Sequence, residues 1–335
     1  MEKIKKLKQT FKKEKIDGYI IPKNDEFFGE YIPDHNDRLR YISNFTGSYG
    51  FSLILKNKNY LFVDGRYTLQ ANNQSGKFFK IITFPHTMPS KLLKNKKLVI
   101  GFDSKLITKK ILNNFFGLNK CVYKPLPNNL IDRIWKREIK KNKNKFYCLP
   151  SSSVGNNYKK KINQIVLYLK KKGADFQFIT SSENNAWLLN MRGHDTKYAP
   201  IPYTYVLIDK NKNIKLFCDL KKVSLSLKKK LNKIKFIDIK FAKKILSQIN
   251  KKKFIIDKNS CSMFFENIIK KNNKILNTED YIYYLKAIKN KNELKNMAKA
   301  HIYDGIALTK YLFWIKKNFN KKKITEISAS NKLYE

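Results

Sequence analysis

The 335-residue chain is poor in arginine, in paired cysteines and in long apolar runs, and each shortage excludes a class of protein. Its four cysteines are far apart and form no CxxC pair, so a zinc ribbon or a dithiol redox motif is not supported. The amino-terminal residues include cations but no apolar stretch of the length a secretory signal needs, and no window is long enough to span a bilayer. These shortages favour a cytoplasmic protein with reduced thiols and no membrane partner.

The cationic residues pose a different question, because the formal net charge is +45 and only six of the 71 cations are arginine. Clustered cations could neutralise a polyanion. Alternatively, compositional drift could have replaced arginine by lysine throughout the chain. Arginine makes the better bidentate contacts to phosphates and bases, and the lysines are scattered over helix faces and turns. We therefore favour drift and predict no nucleic-acid partner, with nucleic-acid binding as the less favoured alternative.

The chain contains the same order of elements twice. Each half has an amphipathic helix, a short apolar strand, a short helix, a β-hairpin around a KNKN turn and a later strand that ends in aspartate. The KNKN turns at Lys56 and Lys210 are 154 residues apart, and so are Asp103 and Asp257. Five elements in one order predict a tandem duplication of an α/β domain, with helices packed on a central sheet.

The boundaries of these units follow from breaks in the pattern. Pro150, the serines after it and Gly155 interrupt the periodicity, so we assign the first domain to residues 1–149 and the second to residues 150–278. Residues 279–335 have helical patterning only, with one apolar stripe and the start of another helix at Thr325. This last segment is too small to bury itself, and we interpret it as the incomplete opening of a third domain.

Four strings resemble successive parts of a known family: GYIIP, FVDGRYTLQA, AWLLNMRGHD and LKAIKNKNELKNMAKAHIYDGIAL. In this order they are similar to the large three-domain aminopeptidase P, also called Xaa-Pro aminopeptidase, of peptidase family M24. The resemblance implies two tandem creatinase N-terminal-like domains, each a mixed α/β sheet flanked by helices. It also implies that the first helices of a truncated pita-bread peptidase domain follow them.

The resemblance implies an activity as well. Such enzymes remove the first residue from peptides whose second residue is proline, with two divalent metal ions, usually manganese, held by two aspartates, one histidine and two glutamates. Two metals lower the pKa of a bridging water and polarise the scissile carbonyl. The resemblance places all five ligands after Glu335, so we predict no catalytic residue and no metal ligand in this chain and expect the 335 residues alone to be inactive. Family members commonly form homodimers, which we expect here.

Arg66, in the DGRY string, is the first candidate for substrate binding. It keeps arginine in a chain that otherwise prefers lysine. A guanidinium offers a planar fork of donors that a lysine cannot copy. A structural ion pair with Asp64 would use the same property, so the residues alone leave both roles open. In the resembling family this arginine looks like a peptide-binding residue, and we therefore predict a substrate contact.

Trp187 and Arg192, in AWLLNMRGHD, are two further candidates for substrate binding. The resemblance suggests that this loop faces the peptidase domain and forms part of the substrate cleft. From the residues alone a structural role has more weight, with Trp187 filling the second core and Arg192 capping or pairing with Asp195. His194 is adjacent to Asp195, and neighbouring side chains on a loop rarely converge, so a catalytic dyad is not expected.

The remaining polar residues are assigned structural roles. His301 lies on an apolar helical stripe and is expected to be a satisfied core residue. His35 is expected in a surface turn, and the charged residues near it are interpreted as local ion pairs: Asp34, Asp37, Arg38 and Arg40.

A non-catalytic interaction module built from two creatinase-like domains is the main alternative to an enzyme. A coding sequence that continued past Glu335 into an Asp, Asp, His, Glu, Glu series would favour the enzyme.

Overall fold

Two six-stranded sheets, one in each half of the chain, form the framework. The computed structural model describes residues 2–117, 119–138, 142–321 and 323–335. The strands of the first half are β1 (Gly18–Pro22), β2 (Phe51–Leu55), β3 (Asn59–Val63), β4 (Lys80–Thr83), β5 (Val99–Asp103) and β6 (Val122–Leu126). Those of the second half are β7 (Tyr147–Cys148), β8 (Phe176–Ile179), β9 (Met191–Arg192), β10 (Tyr205–Asp209), β11 (Ile214–Cys218), β12 (Ile234–Asp238), β13 (Lys253–Asp257) and β14 (Lys274–Thr278).

The helices surround these sheets and then continue beyond them. In the first half they are α1 (Glu2–Glu14), α2 (Arg38–Ser43), α3 (Thr68–Ser75), α4 (Pro89–Leu92), α5 (Lys109–Phe116) and α6 (Leu130–Ile134). The second half has α7 (Ser151–Val154), α8 (Tyr158–Lys171), α9 (Ser182–Leu188), α10 (Leu225–Lys230), α11 (Ala242–Ser247), α12 (Met263–Lys270) and α13 (Tyr281–Ala287). Two more follow, α14 (Lys291–Asn318) and α15 (Glu326–Tyr334).

The two sheets have the same topology, which confirms the predicted duplication. The first has the order β4-β3-β2-β1-β5-β6 and the second β12-β11-β10-β8-β13-β14. In each sheet one strand, β2 or β10, is antiparallel to both neighbours and the other adjacent pairs are parallel. The parallel strands of each sheet therefore end at one edge, where the loops after them come together.

Both faces of each sheet are covered, which explains why the central strands are almost continuous apolar runs. The residues of β1 from Gly18 to Ile21 and all five residues of β2 are buried. The helix α1 presents Ile4, Leu7 and Phe11 to the first core, and its other positions are mostly lysine. The helix α8 does the same in the second core with Ile162, Ile165 and Leu169.

Loops at the carboxyl ends of the parallel strands join the two halves. The backbone N–H of Met263 donates to the carbonyl of Ile107, and that of Phe264 donates to the carbonyl of Ser104, both at 2.9 Å. Phe27, which follows β1, packs against the second core. The first domain is thus attached to the second through backbone hydrogen bonds and an aromatic side chain.

Packing near the predicted boundaries adds detail to them. Strand β7 pairs with β9, and Phe146 just before it is buried in the second core. Ile282 in α13 is buried in the same core. Both residues therefore pack with the second half, although the predicted boundaries place Phe146 in the first domain and Ile282 in the last segment. The division at residues 149 and 278 stays a prediction.

Some sequence expectations differ from the structure. The sequence pattern predicts that the short helices stop at Gly47 and Gly193, but both end earlier. Helix α2 ends at Ser43, where Asn44 takes a left-handed conformation, and α9 ends at Leu188. Helix α14 has no buried residue among those described, and His301 is exposed. The prediction that His301 is a core residue is therefore wrong.

The charged cluster near residue 35 is only partly local. Asp34 pairs with Arg40. Arg38, however, is buried and pairs with Glu26 and with Asp132, which is 94 positions away in the sequence. Among the described residues, no helix combines the length and the apolarity needed to cross a membrane.

We predict that Leu61→Ala lowers the free energy of unfolding by about 2–5 kcal/mol, because Leu61, in β3, is fully buried in the first core and its loss leaves a cavity. Leu69→Ala is the control, since that side chain is 74% exposed and its loss should cost less than about 0.5 kcal/mol. Urea unfolding followed by circular dichroism measures both. Equal effects would contradict the assigned core.

Candidate functional site

Arg66 lies on the surface, in a turn at the carboxyl end of β3. The Asp64 carboxylate accepts hydrogen bonds from the Arg66 backbone N–H (3.0 Å), from Nε (3.1 Å) and from Nη2 (2.7 Å). The Arg66 side chain is 72% exposed, and its guanidinium lies 5.1 Å from the ring centroid of Tyr67. The hydrogen bonds from Arg66 lower the pKa of Asp64. Asp64 therefore fixes one edge of the guanidinium and leaves Nη1 exposed to a ligand.

The duplicated domain provides an internal comparison for this turn. At the end of β11, Asp219 accepts a hydrogen bond from the backbone N–H of Lys221 (3.0 Å), just as Asp64 does from Arg66. Within the described residues, Lys221 makes no ion pair with Asp219. The same turn thus forms with lysine at the matching position, so closing it does not require arginine.

Trp187 lies at the end of α9 and is held from both sides. The Nζ atom of Lys161 is 3.9 Å from the centroid of the indole ring, a cation–π contact, and the indole Nε1 donates to Glu293 Oε1 at 3.2 Å. Nζ also donates to the Trp187 carbonyl (2.8 Å) and to Asn190 Oδ1 (2.7 Å). Lys161 is only 1% exposed, and burial lowers its pKa to about 8.

Glu293 connects this cluster to the long helix α14. The Asn290 side chain caps the helix, and Glu293 accepts a hydrogen bond from the Asn290 backbone N–H, which completes a capping box. Asn290 Nδ2 also donates to the carbonyl of Val154, and Asn296 Nδ2 donates to that of Ser152, both at 2.9 Å. The first turns of α14 are therefore bound to the second domain at several points.

Arg192 is half-buried and uses its guanidinium on nearby backbone. Its Nη1 donates to the carbonyls of Ala186 (2.9 Å) and Met191 (3.0 Å), and burial lowers its pKa. Of the two structural roles weighed for Arg192, capping is observed, because Ala186 lies in the last turn of α9. The ion pair with Asp195 is not observed, and Asp195 pairs with Lys222 instead. Trp187 and Arg192 are thus in one neighbourhood.

Arg66 lies in the other domain, and no hydrogen bond, ion pair or ring contact joins it to Trp187 or Arg192 among the described residues. That these three residues bind substrate stays a prediction.

Two pockets lie between the domains. One, of about 160 Å³, is lined by residues after β1, β8 and β13. The other, of about 430 Å³, includes both His35 and His194. Burial lowers the pKa of His35, and the ring of His194 stacks on Tyr147. In the part of the chain that the structure describes, no group of three or more histidine, cysteine, aspartate or glutamate side chains could hold a metal ion.

Comparison with known proteins gives these domains a family. Residues 3–125 and residues 137–293 each match a family model described as the creatinase/prolidase N-terminal domain. The chain belongs to the creatinase/prolidase N-terminal domain family. The predicted pair of creatinase N-terminal-like domains is confirmed.

Relatives over nearly the whole chain are Xaa-Pro aminopeptidases. Xaa-Pro aminopeptidase 1 of Dictyostelium discoideum is 31% identical, with 99% of this chain and 56% of that protein aligned. Xaa-Pro aminopeptidase ApepP of Drosophila melanogaster is 28% identical over 95% of this chain and 54% of that protein. The family resemblance inferred from the motifs is therefore confirmed, and the chain spans little more than half the length of these relatives.

The fold has a solved counterpart in X-prolyl aminopeptidase from Caenorhabditis elegans. The two superpose with a TM-score of 0.88 at 24% identity, over 99% of this chain and 58% of that one. That protein is described as a cytosolic enzyme with a di-nuclear active site.

The buried charges that were missed in the sequence include Lys161 and Asp25. Lys161 lies on the apolar stripe of α8. A lysine at a position where the helical pattern predicts a core residue could have revealed it. Asp25 is fully buried in the loop after β1 and has no comparable signal, because its neighbour Tyr203 comes from the other domain.

We predict that Lys161→Met changes the pH dependence of stability. The pKa of Lys161 is about 8 in the folded chain and near 10.5 when unfolded, so between these values the unfolded state binds more protons. The unfolding free energy of the unsubstituted chain should therefore rise relative to the variant by about 1 kcal/mol per pH unit above pH 8. Urea unfolding across this range measures the difference.

Lys160→Met, at an exposed neighbouring position, is the matched control and should follow the unsubstituted chain. A Lys161→Met variant with the same pH dependence would show that Lys161 does not titrate as described.

Proposed function

We propose that this chain forms part of an Xaa-Pro aminopeptidase and that its two domains help to hold the peptide substrate. The observation that carries the proposal for these residues is the exposed guanidinium of Arg66, fixed on one edge by Asp64. The matching turn in the second domain uses Lys221, so a structural requirement does not account for the arginine. An oriented fork of donors suits a peptide carbonyl or carboxylate.

Trp187 and Arg192 have a less direct part in this proposal. The polar groups of Trp187 and Arg192 already bond to Lys161, Glu293 and backbone carbonyls. We propose that they shape the wall of the cleft through the rigid loop they stabilise, and that the open part of the indole or guanidinium contacts the peptide.

The metal ions belong to the whole protein in this proposal. The resemblance implies two divalent ions, which we take to be manganese, but the described residues contain no group suited to hold one. No hydrolytic step is therefore derived from these residues. What they can supply is orientation of the peptide and restriction of access to it.

The substrate class and setting follow from the same resemblance. We propose peptides with proline at the second position, a homodimer and a cytoplasmic location. Nucleic acid and membrane are not proposed partners, because the lysines are scattered over many helices and turns. A non-catalytic interaction module built from the two creatinase-like domains is the second candidate.

The activity is tested by hydrolysis of an Xaa-Pro peptide with added manganese. We expect turnover by the full product of the gene and none by the 335 residues alone. Turnover by the 335 residues would contradict the assignment of the chemistry to another part of the protein. Failure of the full product would favour the interaction module.

The role of Arg66 is tested by Arg66→Lys in the full product. We expect kcat/KM to fall roughly tenfold, since lysine keeps the charge but loses the bidentate geometry. Arg40→Lys is the matched control, because Arg40 is also an exposed arginine paired with an aspartate in the same domain. Equal values for both variants and the unsubstituted enzyme would remove Arg66 from the substrate site.

A further inference from the structure

One segment of the first domain crosses to the second and covers a pocket there. This strap, residues 25–31, follows β1. Its base is held in the first domain, where Lys23 pairs with Asp37 and Asn24 Nδ2 donates to the carbonyl of Leu106 at 2.9 Å.

The outer part of the strap is held by aromatic residues of the second domain. The ring of Phe27 stacks on Tyr203, with centroids 4.1 Å apart, and also contacts Tyr205 at 5.2 Å. The Tyr205 hydroxyl donates to the carbonyl of Glu26 at 2.9 Å. Farther along, Tyr31 packs edge-on against Tyr198 at 5.1 Å. Each of these contacts would be lost if the strap lifted.

The strap backbone takes a conformation that depends on these contacts. Phe28 has φ +55°, in the left-handed region that a bulky side chain rarely occupies. Such a residue persists when surrounding contacts impose it. The pocket below, of about 160 Å³, is floored by polar residues at the ends of β8 and β13, among them Ser181 and Ser260. In doubly wound α/β sheets, ligands bind at such strand ends.

A buried carboxylate lies at the base of the strap. Asp25 is fully buried and accepts hydrogen bonds from the Phe27 N–H (3.0 Å) and from Asn36 Nδ2 (3.4 Å). Within the described residues it has no ion-pair partner. Burial, and then the negative charge of Glu26, raise the pKa of Asp25 to about 6.

The charged and titratable groups around Asp25 come from several elements. Glu26 is paired with Arg38, and the Tyr203 and Tyr205 hydroxyls approach from the second domain. Other charged groups of the neighbouring turn and loop are His35, the Lys23–Asp37 pair and Asp195, which is paired with Lys222. None of the described cations neutralises Asp25 directly.

We propose that the strap is a lid over the pocket at the ends of β8 and β13 and that protonation of Asp25 favours its closed position. Closure removes Asp25 from water, so an ionised Asp25 opposes it and a neutral one does not. The closed state holds the proton more tightly than the open state, in which Asp25 is hydrated. Closure is therefore strengthened as the pH falls through about 6 and weakened as it rises above that value.

Hydrogen exchange of the strap amides in the whole chain tests this lid. After correction for intrinsic exchange rates, protection of the unsubstituted chain should increase roughly tenfold from about pH 7.5 to about pH 5, which is the change expected for a carboxyl whose pKa differs by about two units between closed and open states. Asp25→Asn should remove this dependence. Phe27→Ala should leave the strap poorly protected at both pH values.

Asp34→Asn is the matched control, since Asp34 lies in the turn after the strap but its side chain is 88% exposed. It should keep the tenfold change. Protection that does not vary with pH in the unsubstituted chain, or an equal loss of dependence in both Asn variants, would overturn the proposal. If Asp25→Asn fails to fold, the pH series on the unsubstituted chain still decides, because a flat profile excludes the lid as proposed.

Discussion

The arrangement of the molecule depends on contact between the carboxyl ends of two similar sheets. Backbone N–H groups at the start of α12 donate to carbonyls that follow β5, and Phe27 stacks on tyrosines beside β10. Carboxyl ends of parallel strands are where loops from several strands converge, and loops can carry functional groups without disturbing the sheet. Here one part of these loops is used to join the two domains, so the interdomain pockets are formed from the same segments that hold the domains together.

Duplication allows the two copies to be compared position by position. The turns at Asp64 and Asp219 have the same capping hydrogen bond, yet one is followed by an exposed arginine and the other by lysines. Lys222, the second lysine, is almost buried and pairs with Asp195. The two copies therefore share the backbone hydrogen bond that closes the turn but differ in the side chains that follow it. In the second copy Lys222 is engaged in internal structure, whereas the cation that follows the turn, Lys221, is exposed as Arg66 is but makes no ion pair with the aspartate of its turn among the described residues.

Local sequence patterns predicted the regular elements because their causes are local. The run GYIIP, the turns at Lys56 and Lys210 and the aspartates that end β5 and β13 all lie where expected. The partners of charged side chains could not be predicted in this way. Arg38 pairs with Asp132, which lies 94 positions later and beyond the strands of the first sheet. Asp25 lies beside Tyr203, which belongs to the other domain.

The candidate site shows the same limit. Arg66 could be selected because arginine is rare in this chain, and the structure places it in the open. Lys161 is one of 65 lysines, so its residue type carried no information and only its position on the α8 stripe did. The backbone carbonyls that bind Arg192 have no sequence signature of their own, so the residues alone could not decide between capping, which is observed, and an ion pair with Asp195, which is not.

The attachment of α14 has a mechanical consequence. The helix has 28 residues and is bonded to the second domain near its first turns, whereas its later residues are largely exposed. A helix of this length is about 42 Å long. A tilt of about 5° about the attachment beside Glu293 would displace the far end of the helix by about 4 Å.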